Sequence, residues 1–216
     1  TGSWTAGNIN NYSNGIINVE PTGVFTINPA SSLSMDNLSG GTSHFTNSGT
    51  LIKSGFSTFS ISGVLNFSNS GNFTLNDGLF NYNGSGTANS HSGSFSLSTG
   101  AEFRISNGTS NFNGASSTGL GFISQAGGTI TTGSTLSDLA RFRLTGGTFA
   151  GSNPLEVSNL FEWTGGTFGG SSTFDVTGDF SFTGGQKTIT GKTVNLAGTG
   201  SWTAGNINNY SNGIIN

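Results

Sequence analysis

Cysteine is absent from the 216-residue chain, which excludes disulfide frameworks and thiolate metal sites without naming a compartment. Charge is scarce as well: six cations and nine carboxylates leave a net charge of -3, with no block of either sign. Nucleic acids and anionic membranes are met by clustered basic residues, and the chain has no such cluster. It contains no apolar run of about 18 residues that would suit a membrane span, and nothing reads as a signal peptide. Apolar residues never recur at three and four apart for long enough to make a helix of ordinary length. Only 31% of residues are hydrophobic and 37 are glycine, a composition that by itself leans towards disorder.

Periodicity overrules that lean. Leu144-Thr145-Gly146-Gly147, Trp163-Thr164-Gly165-Gly166, Phe182-Thr183-Gly184-Gly185 and Trp202-Thr203-Ala204-Gly205 follow one another at almost equal steps. Phe142, Phe161 and Phe180 keep the same step, as do Leu155, Phe174 and Val194. Upstream, Asn47-Ser48-Gly49, Asn69-Ser70-Gly71 and His91-Ser92-Gly93 recur at a slightly longer but equally regular step. A fixed period of about 20 residues marks stacked structural repeats. Within each repeat, apolar residues flank a single polar one, as in Phe73-Thr74-Leu75, Phe103-Arg104-Ile105 and Phe174-Asp175-Val176. That alternation puts two side chains on one face of a short strand and the middle one on the other.

The predicted fold is all-β: a right-handed parallel β-solenoid of about nine turns, each of about 22 residues with three short strands. At about 4.8 Å per turn, such a stack makes a rod segment about 43 Å long. A looser stretch between Gly114 and Arg141 predicts one turn with a longer loop. Thr1 to Asn18 and Thr199 to Asn216 are the same eighteen letters. This predicts that residues 1–198 form one solenoid block and that 199–216 begin the next identical one. The chain opens on Thr1 and shows no capping segment, which predicts a piece or processed product of a longer protein whose ends stack on further copies.

Few residues are candidates for chemistry. Glu156 and Asp175 are one repeat apart and stack as outward neighbours, with Asp179 nearby. Such carboxylates carry acid–base work in a polysaccharide-cleaving β-helix, but the reading preferred is a solvated face, with Lys192 offsetting the repulsion. A Ca²⁺ ion held by Glu156, Asp175 and Asn195 falls short of the six or more oxygens that ion takes. Arg143 and Glu162 are read as an exposed ion pair between rungs. Thr145, Thr164, Thr183 and Thr203 are read as a turn column in preference to an ice-binding array. His44 and His91 lack partners at the rung spacing and are read as surface residues. Trp4, Trp163 and Trp202 are read as core. No nucleophile elbow, Ca²⁺-binding nonapeptide or phosphate cradle is present. No catalytic, cofactor-binding or metal-binding residue is therefore assigned.

The runs Asn47-Ser48-Gly49-Thr50-Leu51, Thr145-Gly146-Gly147-Thr148-Phe149 and Thr164 to Phe168 resemble the repeat regions of large bacterial surface proteins. These are the filamentous-haemagglutinin-like and autotransporter-like adhesins. The resemblance implies secretion, a right-handed parallel solenoid and a role as stalk, fibre or adhesin. The expected function is a structural subunit of an extracellular fibre or cell-surface filament. An adhesin that binds carbohydrate or host protein is the alternative, and a polysaccharide-cleaving enzyme the third. Expected partners are further copies stacked end to end, with lateral bundling favoured by the low charge; nucleic acid is not among them.

Overall fold

The computed structural model describes residues 1–216. It is all-β, with twenty-nine strands and no helix. Every strand pairing is parallel and joins one turn of the chain to the next. Three columns of strands run along the axis. The first begins at Gly2–Trp4 and Val24–Ile27 and ends at Thr193–Leu196 and Ile214–Ile215. The second runs from Ile9–Tyr12 and Leu33–Ser39 to Asp179–Phe182 and Gly200–Trp202. The third runs from Ile16–Val19 and Ser43–Asn47 to Lys187–Thr190 and Ile207–Tyr210. Two long strands, Ser137–Leu144 and Leu155–Trp163, each serve the first and second columns and fuse them into one 19-stranded sheet.

The predicted repeat registers appear as strand pairings. Ile9, Met35, Ile61, Tyr82, Ile105, Gln125, Leu144, Trp163, Phe182 and Trp202 form one unbroken inward column. The threonine that follows each of its last four members donates its backbone N–H to a carbonyl one coil earlier, as from Thr145 to Gln125 at 2.8 Å and from Thr164 to Leu144 at 2.9 Å. These bonds leave few backbone groups unpaired inside the stack, which is the condition any buried strand must meet. There are about ten coils about 21 residues apart, a rod about 48 Å long at the strand spacing.

Glycine is required at the corners by close approach. A β-carbon added to Gly49, Gly71 or Gly93 would fall 2.1–2.2 Å from a carbonyl oxygen of the coil before. Gly147 adds a positive φ of 73°, so a side chain there is refused twice.

The core is a single cluster of 38 buried side chains in which phenylalanine is the commonest residue, set among leucine, isoleucine and valine. The rings of Phe142 and Phe161 lie 6.1 Å apart with their planes 7° from parallel, and Phe174 touches Phe161 at 4.9 Å. Large flat side chains suit a lumen this narrow, since each spans it and meets its counterpart one rung away.

Three expectations need correction. The stretch from Gly114 to Arg141 holds no longer loop; Ser116 pairs with Asp138 at the same step that separates it from Ser94 on the other side. The long coil comes earlier, between Ile17 and its partner Phe45, because Leu33–Ser39 runs on into an exposed turn at Gly40 and Gly41. His91 is not a surface residue. It stands inward in register with Asn69 and Phe112, 1% exposed, among the rings of Phe67, Phe95, Phe103 and Phe112. Trp202 is not core, although Trp163 is fully buried and Trp4 nearly so; it is 58% exposed on the last coil, where no further coil covers it.

Removing the Phe161 ring leaves a void that neighbours hydrogen-bonded on both sides cannot close. Phe161→Ala is expected to lower unfolding free energy by about 3–5 kcal/mol in equilibrium denaturation, and a loss under about 1 kcal/mol would contradict this packing. Burial depresses the His91 imidazole to about 3. The unfolded chain protonates it near the ordinary value of about 6.5, so between these values the unfolded state binds more protons and stability is lost as pH is lowered, by up to about 1.4 kcal/mol per unit. His91→Leu is expected to remove that part of the acid slope in pH-dependent melting.

Candidate functional site

Two outward patches carry most of the charged side chains. On the first column, Asp138, Glu156, Asp175 and Asn195 stand in register on successive rungs. The chain thus brings Glu156 beside Asp175 as expected. It adds Asp138, which sequence spacing missed because its step to Glu156 is one short of the step from Glu156 to Asp175. Each of the inner pair is held by a neighbour. Thr177 Oγ1 donates to Glu156 at 2.8 Å, while Thr173 Oγ1 and Asn195 Nδ2 donate to Asp175 at 3.1 and 2.6 Å. The Asn195 amide thus presents its nitrogen to Asp175, and its oxygen accepts from Asn216 at 2.8 Å. Asp179 lies on the second column, paired with Leu160, and accepts from the Thr199 N–H at 3.3 Å. The one cavity in the structure opens at the far end of the rod, beside Gly2 and Phe25.

Lys192 does not lie over these carboxylates. Its side chain turns into a corner and is buried, with Nζ donating to the Gly151 carbonyl and to Ser172 Oγ, both at 2.7 Å, above the Phe149 ring. Lys53 is buried in the same way. It occupies an inward position in register with Ile27 and Leu75, where its ammonium donates to the carbonyls of Gly55, Ser57 and Asp77. Lys187 makes the same use of Gly185 and Ala204. Each aliphatic stem packs inside while the charge is satisfied by turn carbonyls.

The second patch lies midway along the second column. Arg143 donates to Glu162 at 2.5 Å, the ion pair expected from their equal places in successive repeats. Around it is a cluster that the sequence did not reveal. Phe122 points outward and is covered by two guanidiniums, Arg141 at 4.1 Å and Arg143 at 3.9 Å from the ring centre. Glu102 pairs in fork geometry with Arg104 at 2.7 and 2.9 Å and also accepts from Ser124. Burial pushes the Glu102 carboxyl up, but the hydrogen bonds of Arg104 and Ser124 and the nearby arginine charges outweigh it and hold it below the ordinary range. The cluster joins four consecutive coils on one face of the rod.

No protein-family model matches the chain, and no curated protein or solved structure does.

Thr145 Oγ1 donates to the Gln125 carbonyl at 3.2 Å, and Thr145, Thr164, Thr183 and Thr203 all sit at the turn where their N–H groups bind the coil before. This is the turn column expected. His44 is partly exposed, paired with Ile16 and Asn66. No three His, Asp or Glu side chains converge as a metal would need.

Burial lowers the pKa of Lys53 to about 8 despite the attraction of Asp77, and that of Lys192 to about 8 as well. The unfolded chain holds these protons to about 10.4. Between the two values the unfolded state binds more protons, so stability rises as pH increases from about 8 to about 10.4. In urea titrations across that range, Lys53→Met is expected to flatten the gain and Lys192→Met to do so again; an unchanged slope would mean that the charge is not confined.

Proposed function

We propose that the chain is a structural subunit of an extracellular fibre or cell-surface filament, built from solenoid coils stacked end to end. The observation that carries this is continuity: three parallel columns run the whole length of the rod, each coil paired strand for strand with the next. Pairing of this kind has no built-in limit and extends with every coil added. The sparse surface charge leaves little repulsion between rods, which supports side-by-side bundling. Resemblance to bacterial adhesin repeats favours the cell exterior.

A second reading, an adhesin stalk that binds a surface ligand, is favoured by one observation. The guanidiniums of Arg141 and Arg143, set over the covered Phe122 ring, form a cationic patch on an otherwise sparsely charged rod. An anionic glycan is the ligand that such a surface fits.

Fibre diffraction or helical electron cryo-microscopy of concentrated protein tests the first reading. A meridional repeat of about 4.8 Å with a longer period of about 45 Å is expected. Monodisperse particles at millimolar concentration, with or without glycan, would overturn it.

A further inference from the structure

Asn-Gly pairs stand in the chain at Asn14, Asn83, Asn107, Asn113 and Asn212. In this dipeptide no side chain shields the glycine nitrogen, which lies within reach of the carboxamide carbon of the asparagine before it. The fold treats the pairs differently. Asn14 Oδ1 is engaged by the Thr42 N–H at 3.0 Å, and Asn113 Oδ1 by the Thr135 N–H at 2.9 Å. The Gly114 and Gly213 nitrogens donate to the carbonyls of Thr135 and Tyr210. Gly84 is buried against the Leu65 carbonyl and the Tyr82 ring, away from water.

Asn107 is the exception. It is exposed, and its Oδ1 accepts from the Gly108 N–H at 2.8 Å, so the side chain is folded back on the nitrogen that would attack it. That N–H makes no bond to a neighbouring coil. The pair fills the corner that Gly127-Gly128, Gly146-Gly147 and Gly165-Gly166 fill on the coils that follow, where the first glycine donates to the coil before at 3.2, 3.2 and 3.4 Å. A side chain at Gly127 would meet the Ser106 carbonyl at 2.2 Å. Position 107 escapes such a clash because the coil before it takes a longer path between Tyr82 and Asn89 than this one takes between their partners Ile105 and Ser110.

We propose that Asn107-Gly108 is a self-modification site, where the folded chain converts its own asparagine to an isoaspartyl or aspartyl residue with water as the co-reactant. The Gly108 nitrogen gives its proton to solvent and attacks Cγ of Asn107. The N–Cγ bond forms, the Cγ–Nδ2 bond breaks and ammonia leaves. The cyclic imide then takes up water at either carbonyl. Opening at the backbone carbonyl frees that carboxylate and routes the chain through Cγ; opening at Cγ restores the ordinary link and frees the side-chain carboxylate. No electron changes hands, and a carboxamide and a water become a carboxylate and an ammonium ion.

The next coil is seated on this peptide. A β-carbon at Gly128 would fall 2.5 Å from the Gly108 carbonyl oxygen and 2.7 Å from the Asn107 carbonyl carbon, and the Thr129 N–H donates to Gly108 at 2.8 Å. An isoaspartyl link lengthens the backbone at that seam. It also places a carboxylate beside Thr109, Thr129, Thr148, Thr167 and Thr188, which stand in register on the outward side of the third column and carry no charge. Modification thus marks the age of a rod by loosening one corner and charging a neutral face.

Full-length chain held in mildly alkaline buffer is sampled over time and mapped by peptide mass spectrometry, with isoaspartate counted by methyltransferase labelling. Modification at Asn107 is expected about tenfold faster than at Asn83 or Asn113, and no slower in the folded chain than in urea, because the folded corner supplies the approach. Equal rates at the three sites, or a folded rate at Asn107 below the rate in urea, would overturn the site. Hydroxylamine opens the imide, and it is expected to cut the aged folded chain between Asn107 and Gly108. Asn107→Gln lengthens the ring that must close; it is expected to resist the cut and to melt within a few degrees of the parent. Cleavage at another Asn-Gly pair in place of this one would count against the proposal. Hydrogen exchange at the Thr129 N–H is expected to rise as the parent ages and to stay constant in Asn107→Gln, and protection retained in the fully modified parent would refute the loosened corner.

Discussion

Everything in this molecule depends on the hydrogen bonds that run from each coil to the next. Parallel strands lie about 4.8 Å apart, and a coil must return to its starting direction within that rise to bond again. The corners bear the cost of that return. Where one coil's carbonyl occupies the space of the next coil's β-carbon, as at Gly49, Gly71 and Gly93, only glycine permits the bond length that the strands require. The abundance of glycine, which in isolation suggests a chain without structure, follows from the closeness of the stacking.

The lumen obeys the same constraint from inside. Phenylalanine rings stacked from coil to coil fill it together with columns of leucine, isoleucine and valine. Several of the polar side chains that enter are satisfied by the turns. Asn47 donates to Asn69 at 2.7 Å and to the Asn72 carbonyl at 3.0 Å, and the corner lysines bind turn carbonyls. His91 continues the asparagine register without such partners and remains neutral among aromatic rings.

Strand positions and their alternation were legible because the repeats keep register through chemically similar residues: Leu144, Trp163 and Phe182 announce one another. Glu156 with Asp175 and Arg143 with Glu162 were legible for the same reason, since equal spacing becomes adjacency in a solenoid. What periodicity could not convey was direction at a corner. Asn47, Asn69 and His91 were recognised as equivalent, yet a residue that begins a turn can face in or out, and polarity suggested outward. Lys192 was misjudged on a similar ground, because the turn groups that hold a buried ammonium, here the Gly151 carbonyl and Ser172 Oγ, leave no trace in the repeat pattern. Phe122 was hidden by the opposite bias: an aromatic residue reads as core, and only the guanidiniums above it make an outward position tolerable.

The coil from Ile17 to Phe45 is more than half as long again as the coil from Asp138 to Glu156, yet the columns pass through both without a break. Length along the axis is therefore counted in coils, and girth in residues, as two separate quantities. The turn at Gly40 and Gly41 can be lengthened or trimmed as an outward projection while the strands on either side stay where they are. A scaffold of this kind accepts ornament anywhere along its shaft, and its height remains a record only of how many times the chain has gone round.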